Sequence, residues 1–272
     1  MTEFQFLPKT HAFMKQTVLT SLLLFMPVAA ALHAEEAGST NAPQVQKTEF
    51  KKGELLFKED FDGDLSRWVV EQTPSGTTKI IDGKLDVDDG FGPHDKGGCT
   101  VWFKEKLSGP ILVEYDAVMV KQGGPNDRAS DLNCFWMATD PSHPEDFFAG
   151  SKERGGNFKK YDDLRLYYVG YGANENVTTR FRRYPRARND EGLSPQYDLA
   201  EAKYMNVPNK VVKVQIVADG DKVQFYRDGE RIFDFTDSEP YREGWFGFRT
   251  VRNHMTLDNF RVYRLLSQTS NP

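Results

Sequence analysis

Lys210-Val-Val-Lys-Val-Gln-Ile-Val-Ala-Asp219-Gly-Asp221-Lys222-Val-Gln-Phe-Tyr-Arg227-Asp228-Gly229-Glu-Arg-Ile-Phe-Asp-Phe235 decides the fold. Three runs rich in β-branched and aromatic residues are separated by Asp-Gly pairs. An Asp-Gly pair between such runs is a hairpin signal, because the tight turn needs positive φ at its centre. Two meander hairpins therefore follow one another here. Gly244-Trp-Phe-Gly-Phe-Arg249 and 255–264 then read as two further strands.

Working backwards, the same grammar repeats. Residues 55–61 read as a strand, and 78–88 as a pair of strands around Asp82-Gly83. Residues 100–107 and the long run 111–120 are strands too. Only 141–150 suggests a helical turn, and 152–163 reads as a charged surface excursion. Strands recurring at short intervals, with almost no helical periodicity, predict an all-β, antiparallel two-sheet β-sandwich. No repeat of solenoid or propeller length is visible.

Between the halves lies a stretch of different character: Asp131-Leu-Asn133-Cys-Phe-Trp136-Met, Leu164-Arg-Leu-Tyr-Tyr168-Val-Gly-Tyr171, and Asn174-Glu-Asn-Val-Thr-Thr-Arg180-Phe-Arg-Arg-Tyr184. Alternate side chains of a strand share a face. Arg165, Tyr167, Val169 and Tyr171 then share one, and Thr178, Arg180, Arg182 and Tyr184 another. Arginines are costly to bury in an apolar core, since each guanidinium needs partners. Such faces are expected on a wet, concave surface that meets a polar or anionic ligand.

The chain has 272 residues, of which 39% are hydrophobic, enough for one core of sandwich size. Its net charge of -5 argues against general nucleic-acid affinity. Arg180, Arg182, Arg183, Arg186 and Arg188 nevertheless form a local basic cluster that would attract a carboxylate or sulfate. Lys9 and Lys15 precede an apolar run over 18–32 that ends in small residues, the pattern of a signal peptide cut after Ala31 or Ala34. The run is short for a membrane span. The expected organisation is a signal peptide over 1–34, a disordered linker over 35–52, one domain over 53–266 and a tail over 267–272. The mature protein is expected to be secreted or periplasmic, monomeric and free of the membrane.

Cys99 and Cys134 are the only cysteines. Export permits a bridge, while their apolar strand contexts suit buried thiols equally well. No Cys/His metal spacing occurs, and no cofactor is expected. Asp60, Asp62 and Asp64 resemble the start of a calcium loop without the rest of its pattern, so a structural calcium ion stays an open alternative.

The closing strands 214–263, together with the opening Leu56-Phe-Lys-Glu-Asp-Phe61 and Trp68, resemble concanavalin A-like lectin/glucanase jelly rolls. The resemblance spans about 54–265. Within that superfamily, 123–140 and 168–184 resemble a bacterial secreted group, the domain of unknown function numbered 6250, found among polysaccharide-degrading proteins. The resemblance implies a jelly roll and a polysaccharide or oligosaccharide partner, with no established mechanism. Retaining glucanases of this fold carry Glu-x-Asp-x-x-Glu or Glu-x-Asp-x-Glu, whose carboxylates flank the bond at about 5 Å. Alginate lyases of the fold carry Arg-x-Glu-Leu and Gln-Ile-His. None of these motifs occurs here.

The residue types favour β-elimination from a uronate. That reaction needs the substrate carboxylate neutralised, a base for the C5 proton and an acid for the leaving oxygen. Asn133, Arg165, Arg180 and Arg182 are the neutralisers, and Tyr168 (or Tyr167) and His254 the acid and base. Tyr168, His254 and Arg180 are thus the catalytic candidates. Asp131, Asn133, Trp136, Arg165, Tyr171, Asn174 and Arg182 are the substrate-binding candidates. A non-catalytic carbohydrate-binding module shares the same features, but would not need two long loops, 140–163 and 186–209. A glycoside hydrolase pairing Asp131 with Glu114 or Asp116 is the third reading.

Overall fold

The computed structural model describes residues 50–92, 96–185 and 197–266. The expected signal peptide, most of the linker, the tail, His94, Arg186 and Arg188 lie outside the described residues. Every described residue belongs to one unit, Val45–Pro272.

The strands are β1 (Lys51–Glu59), β2 (Trp68–Gln72), β3 (Thr77–Ile81), β4 (Lys84–Asp88), β5 (Cys99–Phe103), β6 (Leu107–Ser108), β7 (Ile111–Met119) and β8 (Leu132–Thr139). There follow β9 (Arg165–Gly172), β10 (Thr178–Tyr184), β11 (Asp198–Leu199), β12 (Val211–Asp219), β13 (Lys222–Arg227), β14 (Glu230–Thr236), β15 (Glu243–Thr250) and β16 (His254–Leu266). The back sheet has the order β14-β13-β12-β7-β16-β4-β3, with β1 beside β16. The front sheet runs β11-β10-β9-β8-β15-β5-β2, with β6 beside β15. All pairings are antiparallel, as a sandwich of hairpins and crossovers requires. The Asp-Gly turns do what the spacing asked of them: Asp82 and Gly83 have φ of 50° and 69°, Asp228 and Gly229 50° and 82°.

The core lies between the sheets and is strongly aromatic. Trp68 stacks on Phe248 at 5.4 Å and meets Phe260 edge-on at 5.3 Å. Offset and edge-on packing of rings adds to the burial of their area. Cys99 and Cys134 sit in this core as free thiols, and burial pushes both up to about 12. Among the described residues no helix is long and apolar enough to cross a membrane.

The helical turn expected over 141–150 forms slightly later. A 3-10 turn (Phe147–Gly150) leads into α1 (Ser151–Arg154), and a second 3-10 turn spans Phe158–Tyr161. Asp146 caps the first of these by accepting from the Phe148 N–H. Apart from the buried Arg154, the excursion carries its basic residues outward. Its inner side carries Phe147, Tyr161 and Leu164, which pack on the outer face of the front sheet against Trp102 and Phe135. A second, smaller aromatic core thus sits on the front sheet.

Candidate functional site

The front sheet carries a row of residues in register across six strands: Arg180, Gly170, Asn133, Arg249, Thr100 and Glu71. All six point away from the main core. Gly170 leaves a gap in the row. Tyr168, two residues earlier on the same face of β9, leans into that gap: a Cβ on Gly170 would lie 2.5 Å from the Tyr168 hydroxyl. The phenol therefore stands over glycine, with Arg180 on one neighbouring strand and Asn133 on the other. This is why the sequence needs Gly at 170.

Around this point is a hollow of about 460 Å³, within the range of about 300–1,000 Å³ usual for small-ligand sites. Asp131, Asn133, Tyr168, Asn174, Arg180 and Arg182 line it, together with Lys96, Phe158, Lys159, Tyr184 and Arg249. Six of the ten residues expected at the site are therefore brought together.

The charges are unevenly matched. Arg182 is paired, with Nη1 2.8 Å from Asp198 Oδ1. Arg180 donates from Nη2 to Thr178 Oγ1 at 3.2 Å, and its buried Nε has no partner among the described residues. Asn133 Oδ1 is likewise buried and unpartnered. Arg249 is almost fully buried. It donates from Nη1 to Thr100 Oγ1 and the Gly156 carbonyl, and lies against the rings of Phe158 and Tyr161 at 4.6 and 5.0 Å. Among the described residues no carboxylate pairs with Arg180 or Arg249. An anion entering the hollow would meet donors already desolvated and held in place, where a charge-assisted bond is strong.

Asp131 is the one carboxylate of the lining among the described residues. Burial pushes its pKa up; bonds from Ser130 Oγ and Asn133 and the charge of Arg128 oppose that push without cancelling it. Burial also lifts the Tyr168 phenol well above its ordinary range, reinforced by Tyr184 and Asp131 and opposed by Arg180 and Arg249. At neutral pH Tyr168 keeps its proton and can donate it. The rim beside Asp131 is strained: Asn174, Glu175 and Asn176 all have positive φ, as does Asp131 at 63°. The Asn176 side chain holds this rim, donating from Nδ2 to the Asn206 carbonyl and accepting from the Asn206 N–H through Oδ1. Non-glycine residues in this conformation cost energy and gather at binding sites.

Four expected residues do not join the hollow. His254 lies on β16 of the back sheet, clamped between Asp86 (Nε2 to Oδ2, 2.9 Å) and Asp127 (Nδ1 to Oδ1, 3.1 Å). Trp136 and Tyr171 face the main core, because their strands alternate in the opposite phase to Asn133 and Tyr168. Trp136 packs on Tyr167 at 5.7 Å, and the Tyr171 hydroxyl donates to the Met205 carbonyl. Arg165 belongs to that same phase and sits exposed at the start of β9, away from the hollow. The face expected to display Arg165, Tyr167, Val169 and Tyr171 to solvent is therefore a core face beyond Arg165. The carboxylate pairing of Asp131 with Glu114 or Asp116 is also broken. Both lie on β7 of the back sheet, where Lys52 and Gln215 bind Glu114 and Lys213 binds Asp116. Of the aspartates considered for calcium, Asp60 binds Lys58 and Arg261, and Asp64 accepts from the Ser66 N–H.

Arg249 was legible but missed. Phe246 and Phe248 mark the core phase of β15, so Trp245, Gly247 and Arg249 must face outward. Lys96 comes from a loop and Phe158 and Lys159 from the second 3-10 turn, and none carries such a signal.

Among solved structures, the chain resembles a protein of unknown function with a galectin-like fold from Bacillus subtilis. The TM-score is 0.62 at 19% identity, covering 80% of this chain and all of that one. It also resembles a β-glucanase of Bacillus licheniformis, with a TM-score of 0.52 at 12% identity, covering 79% of this chain and 99% of that one. At such identities the likeness is one of fold, a concanavalin A-like jelly roll. No curated protein matches the chain. The family described as domain of unknown function DUF6250 matches residues 94–260, a span that holds every residue of the hollow, and the chain belongs to that family.

Proposed function

We propose that the hollow binds an acidic or decorated polysaccharide and cleaves it by β-elimination. The observation that carries this reading is the unpartnered polar row, Arg180 and Asn133 on either side of the Tyr168 hydroxyl, with Arg249 next in register. A uronate carboxylate held by Arg180 and Arg249 would have its charge neutralised, which acidifies the C5 proton, while Asn133 Oδ1 would accept from a sugar hydroxyl. Asp131, whose raised pKa makes it a stronger base than a surface carboxylate, takes that proton. The C5 electron pair forms the C4–C5 double bond as the C4–O bond breaks. Tyr168 gives its phenolic proton to the leaving oxygen. Solvent then moves the proton from Asp131 back to Tyr168.

The fold, shared with a β-glucanase, suits a saccharide. Among the described residues the hollow has no second lining carboxylate of the kind a hydrolase pair needs. A polysaccharide substrate also fits an exported protein, secreted or periplasmic, as the N-terminal apolar run suggests. The test is incubation of the purified protein with a panel of uronic-acid polysaccharides, following ultraviolet absorbance of the unsaturated uronate. Absorbance that grows with time is the expected result. Reducing ends without absorbance would replace elimination by hydrolysis, and binding with neither would make the protein a non-catalytic carbohydrate binder.

A further inference from the structure

We infer that the hollow receives the end of a saccharide chain, not its middle; this rests on the saccharide reading above. The cross-strand row provides the geometry. The row lines the hollow through Arg180, which is half-buried, Asn133, 3% exposed, and Arg249, 1% exposed. On β5 and β2 the same row continues as Thr100 and Glu71, which are 0% and 2% exposed and do not line the hollow. A groove running across the whole sheet would leave those two open to solvent. Here the excursion 141–164 covers them.

The cover is built into the fold. Phe147 meets Trp102 edge-on at 4.9 Å and stacks on Trp245 at 4.7 Å. Tyr161 stacks on Phe135 at 5.5 Å and donates to Glu71. Arg154, 3% exposed, binds Glu71 and Asp140 together. A cover held by a satisfied buried ion network and a close-packed aromatic cluster does not swing aside on binding.

The edge of this cover is a wall of the hollow. Phe158 stands against Tyr168 at 5.6 Å and over Arg249 at 4.6 Å. The wall is sealed where Gly156 meets Gly98: a Cβ on either residue would lie within 2.2 Å of the other's carbonyl oxygen. The positive φ of both residues, 135° at Gly98 and 82° at Gly156, adds to the demand for glycine at this seam. A chain laid along the row from Arg180 therefore reaches Asn133 and stops at Phe158. The terminal sugar sits over Gly170, within reach of Arg180, Asn133 and Tyr168.

The experiment uses the whole protein and equal masses of one acidic polysaccharide, polygalacturonate or alginate, either intact or partly depolymerised. Binding is read by calorimetry, alongside a ladder of its oligosaccharides from monosaccharide to hexasaccharide. End binding predicts that sites occupied follow the number of chain ends, and that affinity stops rising after the first few sugars. It further predicts that oligosaccharides chemically blocked at both ends bind at least about tenfold more weakly. Turnover should release short products from an otherwise long polymer. Binding that follows mass, unimpaired binding of blocked oligosaccharides, or early mid-length fragments would overturn the inference while leaving the saccharide reading intact. Failure of every saccharide to bind would overturn both.

Discussion

The Arg154 guanidinium donates to the Glu71 carboxylate from both Nε and Nη2, at 3.0 and 2.8 Å, joining residues 83 positions apart. Neither side chain reaches solvent. The pair fastens the excursion to the far edge of the front sheet. Arg154→Ala would strand the Glu71 charge in a dry site, which costs about 3–5 kcal/mol. We expect urea unfolding to move by that amount and limited proteolysis to cut within 141–164. A loss below about 1 kcal/mol would mean that the aromatic cluster alone holds the cover.

Tyr168→Phe removes one hydroxyl and keeps the ring contacts with Phe135, Phe158 and Tyr184. If the phenol protonates the leaving group, turnover falls by about 10²–10⁴-fold. Substrate affinity and thermal stability should change little, since among the described residues no hydrogen bond of this hydroxyl holds the fold together. Full turnover in the variant would remove Tyr168 from the chemistry.

Gly170→Ala tests placement rather than chemistry. The added methyl would lie 2.5 Å from the Tyr168 hydroxyl, so the phenol must move. We expect a stability loss of about 1–3 kcal/mol, as for overpacking elsewhere, and a loss of turnover close to that of Tyr168→Phe. The double variant should be hardly worse than either single one, because both act on the same hydroxyl. Additive losses would separate the two effects.

His254 has its pKa raised to about 8, chiefly by its bond to Asp86, with Asp127 adding to it. The folded value lies above the ordinary value of 6.5. The stabilisation is therefore complete below pH 6.5 and is lost as pH rises through about 8. A rise of this size corresponds to about 2 kcal/mol. Chemical denaturation across this window should show that decline. In His254→Gln the decline should vanish, with activity per folded molecule unchanged because the residue lies outside the hollow. A profile as steep in the variant as in the parent would place the titration elsewhere.

Both thiols are held near pKa 12 by burial. We expect neither Cys99 nor Cys134 to react with a thiol reagent at neutral pH while the protein is folded, and both to react at once in denaturant. Since the thiolate is the nucleophile, fast labelling of the native protein would show that one of them is reached by opening of the core.

What the strand grammar reveals, it reveals because it is local. Asp82-Gly83 and Asp228-Gly229 need only their own backbone to make a turn. On β10, alternation puts Arg180, Arg182 and Tyr184 on one face whatever surrounds it, and that face does line the hollow. The same rule applied to β9 identifies the right two sets of residues and assigns the outward role to the wrong one. Tyr167, Val169 and Tyr171 look as suitable for a wet face as Leu166 and Tyr168. Which set faces the other sheet is a matter of register, and one step of register exchanges them.

The order of the residues alone therefore determined an antiparallel sandwich, its hairpins and the arginine face of one strand, since each follows from turn chemistry and a period of two. Only the tertiary structure decided that Arg249 joins Arg180, that His254 belongs to the opposite sheet, and that the excursion 141–164 walls the hollow on one side. Those outcomes depend on which strands become neighbours and which loops fold back over them. They arise from contacts between segments far apart in the chain, such as Arg154 with Glu71, and no local pattern carries them.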